Sequence, residues 1–79
     1  MKAINVLRAA KKAYSGVSDE ELYYTTKAVT FVGICGSELH YGPEQQISEG
    51  VIELAACTMM DDATEERFWK HLAQLEARP

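Results

Sequence analysis

Two cysteines, two histidines and a cluster of carboxylates are the side chains with which this 79-residue chain could do chemistry. Cys35 lies in the most apolar stretch, where burial raises the pKa of a thiol, and no activating base is placed beside it. His40 and His71 lack partners at the spacings of known metal-binding motifs. We therefore predict no catalytic residue, no metal site and no cofactor. Cys35 and Cys57 are expected to be small core residues with free thiols.

The carboxylates are concentrated in one half of the chain. Between Ala28 and Glu66 there are eight acidic residues and no Lys or Arg, a local charge of −8 in a chain whose formal total is −4. Such a field repels nucleic-acid phosphates and attracts basic surfaces. General acid–base catalysis needs carboxyl groups in unlike environments, whereas the acids at 61–66 are explained as helix-capping residues. Capping leaves their charge available to a partner.

The predicted binding site combines these charges with aromatic anchors, because tyrosine and tryptophan are favoured at protein interfaces. Its acidic members are Glu44, Glu49, Glu53, Asp61, Asp62, Glu65 and Glu66, and its anchors are Tyr23, Tyr24 or Trp69. An aromatic side chain that only covers the edge of the core is an equally good interpretation of the anchors.

Four segments of the sequence have the apolar spacing of helices, and these predicted helices would position the candidate side chains. The first segment runs from about Lys2 to Tyr14, with Ile4, Leu7, Ala10 and Tyr14 as its expected buried stripe. The second begins at a capping box formed by Ser18 and Glu21 and continues at helical spacing toward Leu39. Its apolar part, Ala28 to Cys35, is expected to be the most buried element of the fold.

The stretch Tyr23 to Ile34 also suits a strand, since it is rich in Thr, Val, Phe and Tyr. The alternation is poor, because Lys27 would share a strand face with Val29 and Phe31. No second segment of similar quality exists to pair with it. A helix is favoured here, and an α+β fold is the alternative.

The third helix is predicted to begin at Pro43, with Glu44 in its first turn, and to end at Met59-Met60. Its expected buried stripe consists of Ile47, Val51, Leu54, Ala55 and Thr58. Glu49 and Glu53 lie four residues apart and should share an exposed side of this helix.

The fourth helix is expected to begin at a cap formed by Asp61 or Asp62, with Asp62 and Glu65 as a second capping box. Phe68, Leu72 and Leu75 share one of its faces, and Trp69 lies beside that face. The four segments together predict a single all-α domain, residues 1–79, built as a compact bundle of about four short helices.

The cellular setting and the function follow from composition. No apolar run approaches the ~20 residues of a membrane span, and charges interrupt the N-terminal region where a signal peptide would be apolar, so a cytoplasmic protein is expected. We predict a non-enzymatic module that docks on a basic, nucleic-acid-binding surface of a partner protein and inhibits it. Phage or plasmid inhibitors of host defence, such as anti-CRISPR or anti-restriction proteins, share this size and charge. Direct binding to nucleic acid or to membranes is not expected.

The alternative is a homodimeric structural or regulatory adaptor. The apolar Ala28–Cys35 stretch, with Gly33 and Gly36 permitting close helix approach, would complete its core against a second copy.

Overall fold

A computed structural model describes residues 1–15, 21–36 and 45–77, except for the side chains of 21–25 and 36. It contains the helices α1 (Ala3–Tyr14), α2 (Glu21–Gly36), α3 (Glu49–Met59) and α4 (Asp62–Glu76). The prediction of a compact all-α bundle of about four short helices is confirmed. Because α2 spans Tyr23 to Ile34, the α+β alternative is wrong. The predicted cap of this helix at Ser18 lies outside the described residues.

The central helix is α1, which packs against both α2 and α4. Its buried face is built mainly from small side chains, namely Ala3, Val6, Ala9, Ala10, Ala13 and Tyr14. Alanine methyl groups let two neighbouring helices approach closely. Ile4 and Leu7, which were expected in the buried stripe, are only half-buried.

The Ala28–Cys35 stretch of α2, which was expected to be the most buried element, is buried on one side only. Phe31 is fully enclosed, but Val29 is 47% exposed and Ile34 is 54% exposed. The reason is the position of this helix, since α2 packs against α1 on one side and α3 on another and leaves the remaining side to solvent. An apolar sequence around the whole helix therefore does not correspond to burial around the whole helix.

A short antiparallel pairing joins the start of the chain to the segment before α3. The Ile47 amide donates to the Met1 carbonyl at 2.7 Å, and the Ala3 amide donates to the Gln45 carbonyl at 2.8 Å. Lys2 and Gln46 form the bridge between these bonds. Gln45 and Ile47 thus bond to the N-terminal segment and residues 45–47 are not helical, so the predicted continuous helix from Pro43 to Met59 is wrong, and Pro43 itself lies outside the described residues.

The third helix begins instead at Glu49, and its N-cap is Ser48, whose hydroxyl accepts a hydrogen bond from the Val51 amide at 3.4 Å. Its buried residues are Ile52, Ala55 and Ala56, while Val51, Leu54 and Thr58 are exposed. The predicted stripe was wrong at those three positions because it was counted from Ile47, which is buried but precedes the helix. The predicted end at Met59-Met60 is confirmed.

The fourth helix supplies the aromatic part of the core. Phe68 and Leu72 are fully buried as predicted, and the Phe68 ring meets Phe31 of α2 edge-on, with centroids 5.1 Å apart. Asp61 is the N-cap, and Asp62 is the first helical residue, so the predicted box of Asp62 with Glu65 is wrong. Of the helices described, none combines the length and apolar character that a membrane crossing demands.

Candidate partner-binding surface

Two acidic residues of the predicted site lie on α3. Glu49 occupies the first turn of the helix, where its charge favours the helix dipole, and Glu53 lies about one turn later on the same side. Both side chains are exposed. This side of α3 therefore presents two carboxylates to solvent.

The remaining described acids lie at the start of α4. Asp62 and Glu66 are exposed and four residues apart, on the side of the helix opposite to Phe68. Glu65 is half-buried at the edge of the core face. Asp62 and Glu66 thus form the more accessible pair on this helix.

Asp61 is the N-cap of α4 as well as a member of the predicted acidic site. Its carboxylate accepts a hydrogen bond from the Thr64 backbone amide at 2.8 Å. Hydrogen bonds from the Thr64 side chain and backbone hold the pKa of Asp61 below its ordinary value, with smaller contributions from the charges of Arg67 and Lys27. Asp61 therefore carries a negative charge and caps α4 at the same time.

The two acidic groups belong to consecutive helices, with Glu49 in the first turn of α3 and therefore about 15 Å along the helix from its end. Only Met60 and Asp61 separate the helices, and α3 packs on α2 whereas α4 packs on α1. We use the name acidic junction for the described acids of α3, of α4 and of the connection between them: Glu49, Glu53, Asp61, Asp62, Glu65 and Glu66. Glu44, the remaining acidic member of the predicted site, lies outside the described residues.

Trp69 is the described aromatic candidate for an anchor. It is half-buried, and its ring packs edge-on against Phe68 with centroids 5.1 Å apart. Helical spacing places it on the same side of α4 as Asp62 and Glu66. The backbone of Tyr23 and Tyr24 belongs to α2, and their side chains lie outside the described part of the chain.

Most of the described basic side chains lie away from the acidic junction, although exposed Lys70 follows Glu66 by four residues on the same side of α4. Arg8, Lys11 and Lys12 are exposed on α1. Arg67 follows the acidic junction directly in sequence, but its guanidinium is used inside the fold, where it donates to the Ala13 carbonyl from Nε at 3.1 Å and from a terminal nitrogen at 2.9 Å. Lys27 extends over the Tyr14 ring, with Nζ 5.6 Å from its centroid.

The two cysteines differ in environment. Cys35 is buried, and desolvation raises the pKa of its thiol to about 11, which keeps it protonated. Cys57 is exposed, which corrects the expectation that both cysteines lie in the core; both thiols are free. Within the described ranges, no three His, Cys, Asp or Glu side chains converge as a metal site would require.

One feature of this surface was missed from the sequence. Leu54 lies next to the acidic edge of α3 and is 72% exposed, and Val51, on the far side of Leu54 from the acids, is 41% exposed. The sequence did contain a signal for this exposure, because counting from a Ser48 cap would have grouped Ile52 with Ala55 and Ala56 as the buried side of α3.

Comparisons of this chain with protein-family models, with curated proteins and with solved structures found no significant match.

Proposed function

We propose that this protein is a non-enzymatic binding module whose acidic junction docks on a basic surface of a partner protein and inhibits that partner. The observation that carries the proposal is the absence of Lys and Arg from residues 45–66, combined with exposure of Glu49, Glu53, Asp61, Asp62 and Glu66. A concentrated negative field accelerates encounter with positive surfaces and repels nucleic acid.

The module would inhibit its partner by competing with nucleic acid for the same basic surface. Basic protein surfaces often hold nucleic acid, so a small acidic domain bound there excludes the phosphate backbone. We propose a cytoplasmic role of the kind played by phage or plasmid proteins against host defence, anti-CRISPR and anti-restriction proteins among them. Size and charge support this assignment by analogy.

The test begins with affinity capture from bacterial lysate at low and high salt, followed by calorimetry with the captured partner. Replacing Glu49, Glu53 and Glu66 by Gln should weaken binding and flatten its salt dependence. The matched control adds Lys at exposed Thr30, Ala73 and Gln74, so both variants raise the net charge equally. Equal loss of affinity in the two variants would show that net charge, and not the acidic junction, governs binding.

Inhibition is measured separately, by displacement of labelled DNA or RNA from the partner. Displacement that requires Glu49, Glu53 and Glu66 supports competition at a nucleic-acid groove. Binding without displacement would remove the inhibitory part of the proposal and leave the docking part.

A homodimeric structural or regulatory adaptor is the second candidate, supported by the exposure of Val29 and Ile34 on α2. Sedimentation equilibrium tests it, since a dimer should appear at micromolar concentration and should weaken when Ile34 is replaced by Ser. A monomer over the whole concentration range would remove this candidate.

A further inference from the structure

The side of α3 that points away from the core carries no charge. Each helical residue advances by roughly 100°, which places Leu54 opposite the buried side defined by Ile52 and Ala56. Leu54 is 72% exposed, more than any other large apolar side chain of the described residues. We define the outer face of α3 by its exposed residues Gly50, Val51, Leu54, Cys57 and Thr58.

This arrangement is unusual for a surface helix, which ordinarily places its charges opposite the core. In α3 the two charges, Glu49 and Glu53, lie along one edge, between the buried side and the outer face. The Thr58 hydroxyl donates to the Leu54 carbonyl at 2.8 Å, so its proton is used within the helix. The outer face is therefore an apolar strip with a carboxylate border.

The outer face of α3 could be covered by a second copy of this chain or by a different protein, and the position of Glu49 and Glu53 favours one of the two. A symmetric dimer with antiparallel α3 helices would bring the same edges together, so Glu49 and Glu53 would approach the acids of the second α3, and one with parallel helices would leave them opposite an edge of α3 without a basic side chain. Residues 45–66 offer no Lys or Arg to compensate. Juxtaposed like charges are costly at an interface. The border instead complements a surface that is apolar at its centre and basic at its rim.

We infer that the outer face of α3 is the apolar anchor of the proposed docking surface, and that its occupant is an apolar patch on a partner protein bordered by Lys or Arg. This inference rests on the proposed function and adds the anchor to it. In protein interfaces a few central apolar side chains supply most of the affinity, while charged rims chiefly set encounter rate and specificity. Leu54 has the central position, and Glu49 and Glu53 belong to the rim.

The test uses a defined probe, an amphipathic helical peptide of Leu and Lys, titrated into the isotopically labelled protein and followed by NMR. We expect the largest shift changes across Val51–Thr58, and a loss of affinity of about tenfold or more in L54S. The matched control is Q74S, which shortens an exposed side chain on a different helix, α4, and should bind as the wild type does. A Leu/Glu peptide should not bind.

Three results would overturn the inference. These are unchanged affinity in L54S, equal binding of the Leu/Glu peptide, or self-association through the strip, detected as rapid Cys57-to-Cys57 cross-linking. The proposed function and this inference can fail separately. If the variant with Gln at 49, 53 and 66 loses affinity but L54S does not, docking through the acids is supported and the apolar anchor is wrong. If L54S loses affinity and the glutamine variant does not, the anchor stands and acidic docking is wrong.

Discussion

Arg67 of α4 closes the last turn of α1 by donating two hydrogen bonds to the carbonyl of Ala13, 54 residues earlier in the chain. Its guanidinium also donates to the Thr64 hydroxyl at 3.3 Å. A carbonyl at a helix C-terminus has no partner within the helix, so a cation that binds it stabilises both the backbone group and the helix dipole. This contact fixes the two helices relative to each other beside the acidic junction.

Replacing Arg67 by Met should therefore lower the free energy of unfolding by about 1–3 kcal/mol, because two charge-assisted hydrogen bonds are lost. Urea denaturation followed by circular dichroism measures this change. Lys70, exposed on the same helix, supplies the control: K70M should alter stability by less than about 0.5 kcal/mol. Equal effects of R67M and K70M would contradict the structural role of Arg67.

The cap at Asp61 predicts acid sensitivity of α4. Because its pKa is lowered in the folded state, the stabilisation is complete above the ordinary pKa of an aspartate and is lost as pH falls through the folded value. The D61N variant should be less stable at neutral pH and should lose less stability on acidification. Thermal unfolding from neutral pH down to about pH 3 checks this, near and below the reference value. Parallel curves for both proteins would contradict the assignment.

The orientation of α3 predicts a sharp contrast between two residues two positions apart. Ile52 is fully buried, so I52A should cost about 2–5 kcal/mol. Leu54 is largely exposed, so L54A should change stability by less than about 0.5 kcal/mol. Chemical denaturation of the two variants tests the rotation of the helix directly. A costly L54A with a neutral I52A would restore the stripe expected from the sequence.

Gly50 lies in the first turn of α3, and a Cβ added there would meet no atom within 4 Å. The G50A variant should therefore stabilise the protein by about 0.5–1 kcal/mol, since alanine reduces the freedom of the unfolded chain and favours the helix. A rise in the urea midpoint is the expected result. A fall would indicate a conformation or contact at this position that alanine does not accept.

The two thiols should differ in reactivity. Cys57 is exposed and should react readily with a thiol reagent in the native state. Cys35 is buried, and its pKa of about 11 leaves almost no thiolate near neutral pH, so it should react only on unfolding. Counting reactive thiols with and without denaturant distinguishes the sites, and C57S identifies the fast one. Two fast thiols in the native protein would contradict the burial of Cys35.

Local signals predicted much of this fold. The apolar spacing of Phe68, Leu72 and Leu75 indicated the buried side of α4, and the same kind of spacing indicated that the segment from Tyr23 to Ile34 is helical. Of the six described acidic candidates, five lie on α3 or α4 and Asp61 caps α4; all are exposed except Glu65, which is half-buried. Whether they bind a partner is a prediction that the structure leaves to experiment.

The errors arose where distant parts of the chain determine local structure. The pairing of Met1–Ala3 with Gln45–Ile47 has no signature in either segment alone, yet it sets the start and rotation of α3. On α1 the spacing of Ile4 and Leu7 relative to Ala10 and Tyr14 placed them in the expected buried stripe. A helix placed between two neighbours instead buries its smallest side chains, such as Ala9 and Ala13.

The same terminal pairing has a kinetic consequence. It joins backbone groups up to 46 residues apart, so the chain must close a long loop before α3 finds its place. Contacts of high sequence separation slow folding relative to bundles held by neighbouring helices alone. The contact between α1 and α4 spans a still longer separation, 54 residues from Ala13 to Arg67. We expect α1 and α2, which are neighbours in sequence, to assemble early and α3 and α4 to dock later, which makes the acidic half of the molecule the later one to mature.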